Sequence, residues 1–194
     1  MPDIKHFDPD AALERVERLF WQHGAEASIQ AVATATGLSR SSLYTTFGGK
    51  RELYLAALRR YLRHRAQPAF RELGEDGRGL PAVGDFFRGL IEARCSGEYA
   101  GWGCMVVNAH VGSEGGDPAV RALLDEHHRL LRDALRAELE AADRQGQLAP
   151  GVSTDAAAEA LALLAYGVNL RSRGGADAQA LLGTVDAALS LLGR

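Results

Sequence analysis

Nine residues near the N-terminus, Ser39-Arg40-Ser41-Ser42-Leu43-Tyr44-Thr45-Thr46-Phe47, put two chemistries on one short segment. At helical spacing Leu43 and Phe47 stand i,i+4 and share an inner side, while Arg40, Ser41, Ser42, Tyr44 and Thr45 stay outside. Small hydroxyls around one guanidinium are what a helix needs to lie in a DNA groove. The hydroxyls reach phosphate oxygens, and the guanidinium either bridges guanine O6 and N7 or clamps a phosphate. Both roles are open for Arg40. A second candidate is the thiol of Cys104, within Gly101-Trp102-Gly103-Cys104-Met105-Val106-Val107-Asn108. A thiol reacts when nearby cations lower its pKa and solvent reaches it; among apolar neighbours it is otherwise an inert core residue. Glu126-His127-His128 and the i,i+4 pair His110 and Glu114 carry metal-ligand types, but adjacent helical histidines point apart and do not chelate together. No metal site and no cofactor are expected. His128 is better placed as a polar wall of a ligand pocket.

The segment needs a scaffold, and helical periodicity supplies one. Leu13, Val16, Leu19 and Phe20 form the apolar face of a first helix that His23-Gly24 ends. Ser28 is placed to cap a short second helix carrying Ile29, Val32 and Ala33. Thr36-Gly37-Leu38 breaks it, and Ser39 caps a third. Two short helices about a tight glycine turn have the arrangement of a helix-turn-helix. A longer helix follows from about Lys50, with Leu55, Leu58 and Leu62 on one stripe. The glycine-rich, charged stretch from Leu73 to Pro81 reads as a connector. Further helices are expected over about 82–95, 102–111, 118–144, 153–173 and 177–192. No strand pattern appears, so the expected fold class is all-α.

Composition fits a globular chain of 194 residues, 46% hydrophobic and 24% charged. Its net charge of -3 hides a segregation: residues 39–65 hold seven basic side chains against one acidic. Two cysteines, Cys95 and Cys104, make no disulfide framework and no C-x-x-C pair. The N-terminal residues lack the cationic start and apolar run of a signal peptide, and no apolar stretch comfortably spans a bilayer, so a cytoplasmic protein is expected. No G-x-S-x-G, phosphate loop, dinucleotide fingerprint or H-E-x-x-H is present, so enzyme activity is not expected.

Ala35-Thr36-Gly37-Leu38-Ser39-Arg40-Ser41-Ser42-Leu43-Tyr44, then Phe47-Gly48-Gly49-Lys50 and Leu53-Tyr54, resembles the N-terminal domain of the TetR family of bacterial transcriptional repressors. The resemblance reaches back through Leu19-Phe20, Gly24 and Ser28-Ile29, over about residues 9–60. It implies a helix-turn-helix DNA-binding domain (1–49), a connecting helix and linker (50–80) and a helical ligand-binding and dimerisation domain (81–194). By resemblance Ser28 caps the second helix and touches a phosphate, Tyr44 is a phosphate-binding tyrosine, and Lys50 contacts the backbone. Ser39, Ser41, Ser42 and Thr45 are further DNA-facing candidates. Gly49 departs from the usual Asn, Ser or Asp cap, and the arm before Phe7 is short and nearly uncharged.

The resemblance further implies a homodimer on double-stranded operator DNA, released by a small-molecule or thiol-reactive inducer; activation on the same scaffold is the alternative. The Gly-Cys segment at Cys104 and the Tyr166-Gly167 region resemble one branch of the family, some of whose members sense electrophiles or oxidants through the corresponding cysteine. Phe86, Phe87, Trp102, Cys104, Met105, Asn108, His128 and Tyr166 are the candidate pocket residues, although the apolar ones, each taken alone, read more readily as core. The helix around 156–170 carries two apolar stripes, Ala157-Leu161-Leu164-Val168 and Ala158-Ala162-Tyr166-Leu170. Two apolar sides suit burial within the chain on one and a second copy on the other; an internal core helix is the alternative.

Overall fold

A computed structural model describes residues Phe7–Arg194. The short arm before Phe7 lies outside the described residues. The described residues form ten α-helices: α1 (Pro9–His23), α2 (Ile29–Thr36), α3 (Arg40–Phe47), α4 (Lys50–Tyr61), α5 (Gln67–Asp76), α6 (Leu80–Cys95), α7 (Met105–Val111), α8 (Pro118–Arg144), α9 (Thr154–Arg173) and α10 (Ala178–Ser190). The only extended pairing among the described residues is a single bridge between Leu148 and Gly193.

The first three helices form the expected head. Ser28 Oγ accepts from the Ala31 amide at 3.1 Å, and Ser39 Oγ from the Ser42 amide at 3.0 Å. Each hydroxyl therefore satisfies a donor that the first helical turn leaves open. Gly37 ends α2 at φ 71°, ψ 14°, a left-handed conformation that glycine adopts without steric cost. Val16, Phe20, Val32, Leu43, Leu53 and Leu58 are all at most 1% exposed and lock the head together. Phe47 is half-buried, so Leu43 is the main anchor of α3.

The expected connector over 73–81 is far shorter. Leu73 and Pro81 are helical, and only Gly77, Arg78 and Gly79 lie between α5 and α6. Glu138 of α8 is 1% exposed and accepts the amides of Gly77 (2.8 Å) and Gly79 (2.9 Å), so a buried carboxylate holds this loop. A Cβ on Gly79 would lie 2.8 Å from the Ala142 Cα, which makes glycine necessary there. Helix α4 does not stop before the connector. It runs into α5 through a π-helical turn over Leu62–Ala66, where Gln67 N–H reaches back to the Leu62 carbonyl. Pro68 follows at once; with no N–H it cannot bond the His64 carbonyl, and the ladder shifts register.

The C-terminal body packs α5, α6 and α9 around α8, with α10 against α6. Trp102 to Cys104 lead into α7 rather than belonging to it. Only part of the expected second stripe on α9 is a free face. Ala158 and Ala162 are buried and Tyr166 is half-buried, whereas Leu163 (55% exposed) and Leu170 (52%) face outward together with the exposed Ala160 and Gly167. At 100° per residue these four lie on one side of the helix. No described helix is long and apolar enough to cross a membrane.

Candidate nucleic-acid interface and internal cavity

Helix α3 turns its apolar side to the head core through Leu43 and leaves Arg40, Ser41, Tyr44 and Thr45 exposed. Tyr44 is 45% exposed, high for a residue of this size, and its ring rests on no other aromatic. Arg40 Nη2 donates to Gln30 Oε1 at 2.7 Å, so the guanidinium is oriented by a side chain of α2. Gln30 was absent from the sequence-derived set, and no motif there points to it. Ser39 and Ser42 are joined Oγ to Oγ at 2.9 Å while Ser39 caps α3, which commits both hydroxyls locally. Ser28 likewise caps α2.

The basic excess of residues 39–65 is smaller than its count. Arg60 and Arg65 both pair with the buried Glu17, each at 2.7 Å, and Arg51 donates to Asp117 at 2.8 Å. Lys50 has no carboxylate partner among the described residues and stands at the start of α4. Gly49 precedes α4 without a side-chain cap bond. The Glu52 carboxylate folds back over this helix start, and a Cβ on Gly49 would lie 2.8 Å from Glu52 Oε2. Backbone amides there hold the Glu52 carboxyl below its ordinary pKa, as a reciprocal helix cap does.

Head and body are tied at several points. Trp21 Nε1 donates to the Gly103 carbonyl (2.9 Å), Tyr54 to Glu114 (2.9 Å), and Asn108 to the Trp21 and Trp102 carbonyls. Arg65, on the π-turn, bonds Glu17 of α1 and lies over the rings of Trp21 and Tyr99 at 5.1 and 4.7 Å.

Arg65 also borders an internal cavity of about 480 Å³ between α5, α6, α8 and α9. Its apolar wall includes Phe70, Leu73, Phe86, Leu90 and Leu131, a make-up and size usual for small-molecule sites. Of the sequence-derived pocket residues, Phe86, Cys104 and Tyr166 line it. Phe87, Trp102, Met105, Asn108 and His128 do not. Phe87 and Met105 are core, Trp102 packs on Trp21 and Tyr99, Asn108 holds backbone carbonyls, and His128 bonds Glu159 at 3.1 Å. The one-residue shift from His128 to His127 follows from the 100° turn of α8, which aims His127 inward. Arg94, His127 and Asn169 were missed. Cys104 is 3% exposed and receives the Tyr61 hydroxyl at 3.5 Å, with Arg94 donating to the same hydroxyl at 3.1 Å. The thiol thus sits beside a cation at the cavity edge.

Comparison with known proteins follows this division. Residues 12–57 match the family described as bacterial regulatory proteins, tetR family, and residues 79–188 match the tetracyclin repressor-like C-terminal domain. The chain belongs to the TetR family. An HTH-type transcriptional regulator of Bacillus subtilis (strain 168), YezE, is 31% identical over 191 residues, covering 97% of both chains. The transcriptional repressor ComR of Escherichia coli (strain K12) is 30% identical over 186 residues, covering 92% of this chain and 85% of ComR. Among solved structures, a cysteine-substituted TetR family regulator CifR complexed with 26bp double-strand operator DNA superposes with a TM-score of 0.81 at 28% identity, covering 96% of this chain and 97% of CifR. This TetR-family chain is a DNA-binding transcriptional regulator with an N-terminal helix-turn-helix and a helical C-terminal domain.

Proposed function

We propose that this protein is a homodimeric repressor that occludes promoter DNA and leaves it when an inducer occupies the cavity or modifies Cys104. The carrying observation is the outer face of α3, where Arg40, Ser41, Tyr44 and Thr45 stand exposed over a Leu43 anchor of zero exposure. A relative of matching fold, CifR, was solved on operator DNA, and ComR is named a repressor. Ser28, Ser39, Ser42 and Lys50 complete the DNA-binding set through helix starts and backbone contacts. The outward apolar face of α9 joins two copies, and two heads must then meet half-sites about 34–36 Å apart. Arg65 supplies the link from cavity to head, since it borders the one and grips Glu17 of the other. Such a regulator works where the chromosome is, in the cytoplasm.

The test is selection of bound sequences from a random DNA pool, followed by Arg40→Ala on the selected site. Loss of about 1–3 kcal/mol confined to one base pair assigns Arg40 to a base. Equal loss on all sequences with a shallower salt slope assigns it to phosphate. Failure to enrich any sequence contradicts the reading.

A further inference from the structure

Among the described residues, three polar groups that line the cavity have no sufficient partner. Arg94 donates through Nε to Asn169 Oδ1 (2.7 Å) and through Nη2 to the Tyr61 hydroxyl (3.1 Å), but both acceptors are neutral. The other cations bordering the cavity are neutralised: Arg65 pairs with Glu17, and Arg78 with Asp76 and Asp85. Among the described residues Arg94 has no carboxylate within 4.0 Å, although its guanidinium is half-buried and keeps its charge. His127, 5% exposed, has a buried Nδ1 with no hydrogen-bond partner, and burial holds its ring neutral. The Tyr166 hydroxyl is also buried and unpartnered, and the two rings stack at 6.2 Å and 15°. Buried polar atoms are normally satisfied, so a cavity that leaves two orphaned beside an uncompensated cation is built for a polar guest.

Resting on the reading of this cavity as the inducer site, we propose that its ligand is a small monocarboxylate with an apolar, aromatic-sized body. The carboxylate meets Arg94, and Tyr166 and His127 bond its second oxygen or a polar substituent. One unpaired cation matches one negative charge, and a dianion such as a phosphate would exceed it. The apolar wall of phenylalanine, leucine and alanine suits an apolar body attached to that charge better than a wholly polar anion. At roughly 30 Å³ per small group the cavity holds on the order of 15 non-hydrogen atoms. At the mouth Arg78 and Arg88 together balance Asp76 and Asp85, and Glu72 is the one lining carboxylate without a cation among the described residues, so an anionic guest must pass it to reach Arg94.

The experiment uses the intact protein and three probes: the neutral dye N-phenyl-1-naphthylamine, 4-phenylbutyrate and its neutral isostere 4-phenylbutyramide. Dye fluorescence reports whether the cavity admits an apolar guest regardless of charge, and calorimetry measures each competitor. The expected result is dye uptake, with the acid displacing it at least about tenfold more tightly than the amide. Arg94→Gln should bring acid and amide within about twofold, and Arg94→Lys should keep part of the preference. Arg94 lies 5.7 Å from the Trp21 ring, so the acid should also change tryptophan emission. The acid–amide comparison on the unsubstituted protein stands even if an Arg94 variant folds poorly. Dye uptake with equal displacement by acid and amide, or with no displacement by the acid, overturns the carboxylate proposal and leaves the inducer cavity intact. An acid preference that survives in folded Arg94→Gln overturns it as well. A protein that admits none of the three probes contradicts the cavity reading itself.

Discussion

Glu17→Gln removes the charge that joins the head to the body while keeping side-chain volume. Glu17 is fully buried, and its two oxygens meet different cations, Arg60 Nη1 and Arg65 Nε, each at 2.7 Å. An amide leaves one acceptor and turns an N–H₂ toward the other guanidinium. One charge-assisted bond becomes a donor facing a donor, at a loss of about 1.5–3 kcal/mol. Breaking a buried pair by removing one partner costs about 3–5 kcal/mol, because the remaining charge stays buried. Arg60 and Arg65 keep 10% and 26% side-chain exposure, so water offsets part of this and about 3 kcal/mol is expected. For a chain of this size that is a Tm fall of about 6–12 °C. Calorimetry at matched protein concentration measures it, since a dimer's Tm depends on concentration. High salt should leave the difference in place, because a buried pair is poorly screened. A fall under about 1 °C, or one that high salt erases, would mean that the pair behaves like a surface contact and the reasoning is wrong.

His127 is neutral in the fold because burial pushes its pKa down to about 3, whereas the unfolded ring titrates near 6.5. Above that pH neither state binds the proton. Below it only the unfolded state does, so stability falls by up to about 1.4 kcal/mol per pH unit as pH drops toward 3. His127→Phe should flatten this acid slope in pH-dependent melts, and an unchanged slope would place the proton elsewhere. Leu163→Glu with Leu170→Glu should raise the dimer dissociation constant at least about tenfold, since each substitution counts twice in a two-fold interface. Sedimentation showing an unaltered dimer would move the interface off this face of α9. Tyr44→Phe should weaken operator binding by about 0.5–1.5 kcal/mol on every sequence alike, the value of one hydrogen bond, with no change in melting. Loss limited to one base step would reassign the ring to base contact.

The head was legible because its signals are local. Ser28, Gly37 and Ser39 each do what their residue type does at a helix end, and the i,i+4 pair Leu43 and Phe47 shows its inner side directly. The cavity was not, because it is assembled from separate segments spread between Arg65 and Asn169. Phe86, Cys104 and Tyr166 were within reach of composition; Arg94, Asn169 and Tyr61 meet only once α4, α6 and α9 are packed. Glu17 left a trace. It stands between Leu13 and Phe20 on the apolar face of α1, where an acid needs a buried partner. Leu73 to Pro81 misled because glycine and charge there serve a three-residue turn held by Glu138, not a flexible span. The basic count over 39–65 misled for a related reason, since three of its seven cations are engaged by Glu17 and Asp117.

The most direct test is a gel-shift titration of the protein against the DNA flanking its own coding region, with excess non-specific competitor and at two salt concentrations. A competitor-resistant shift to one complex holding a protein dimer, weakening steeply with salt and lost in the Arg40→Ala, Tyr44→Phe double variant, is the predicted result. A protein that shifts no DNA above competitor, there or in a random-pool selection, would contradict the assignment of α3 as a reading helix.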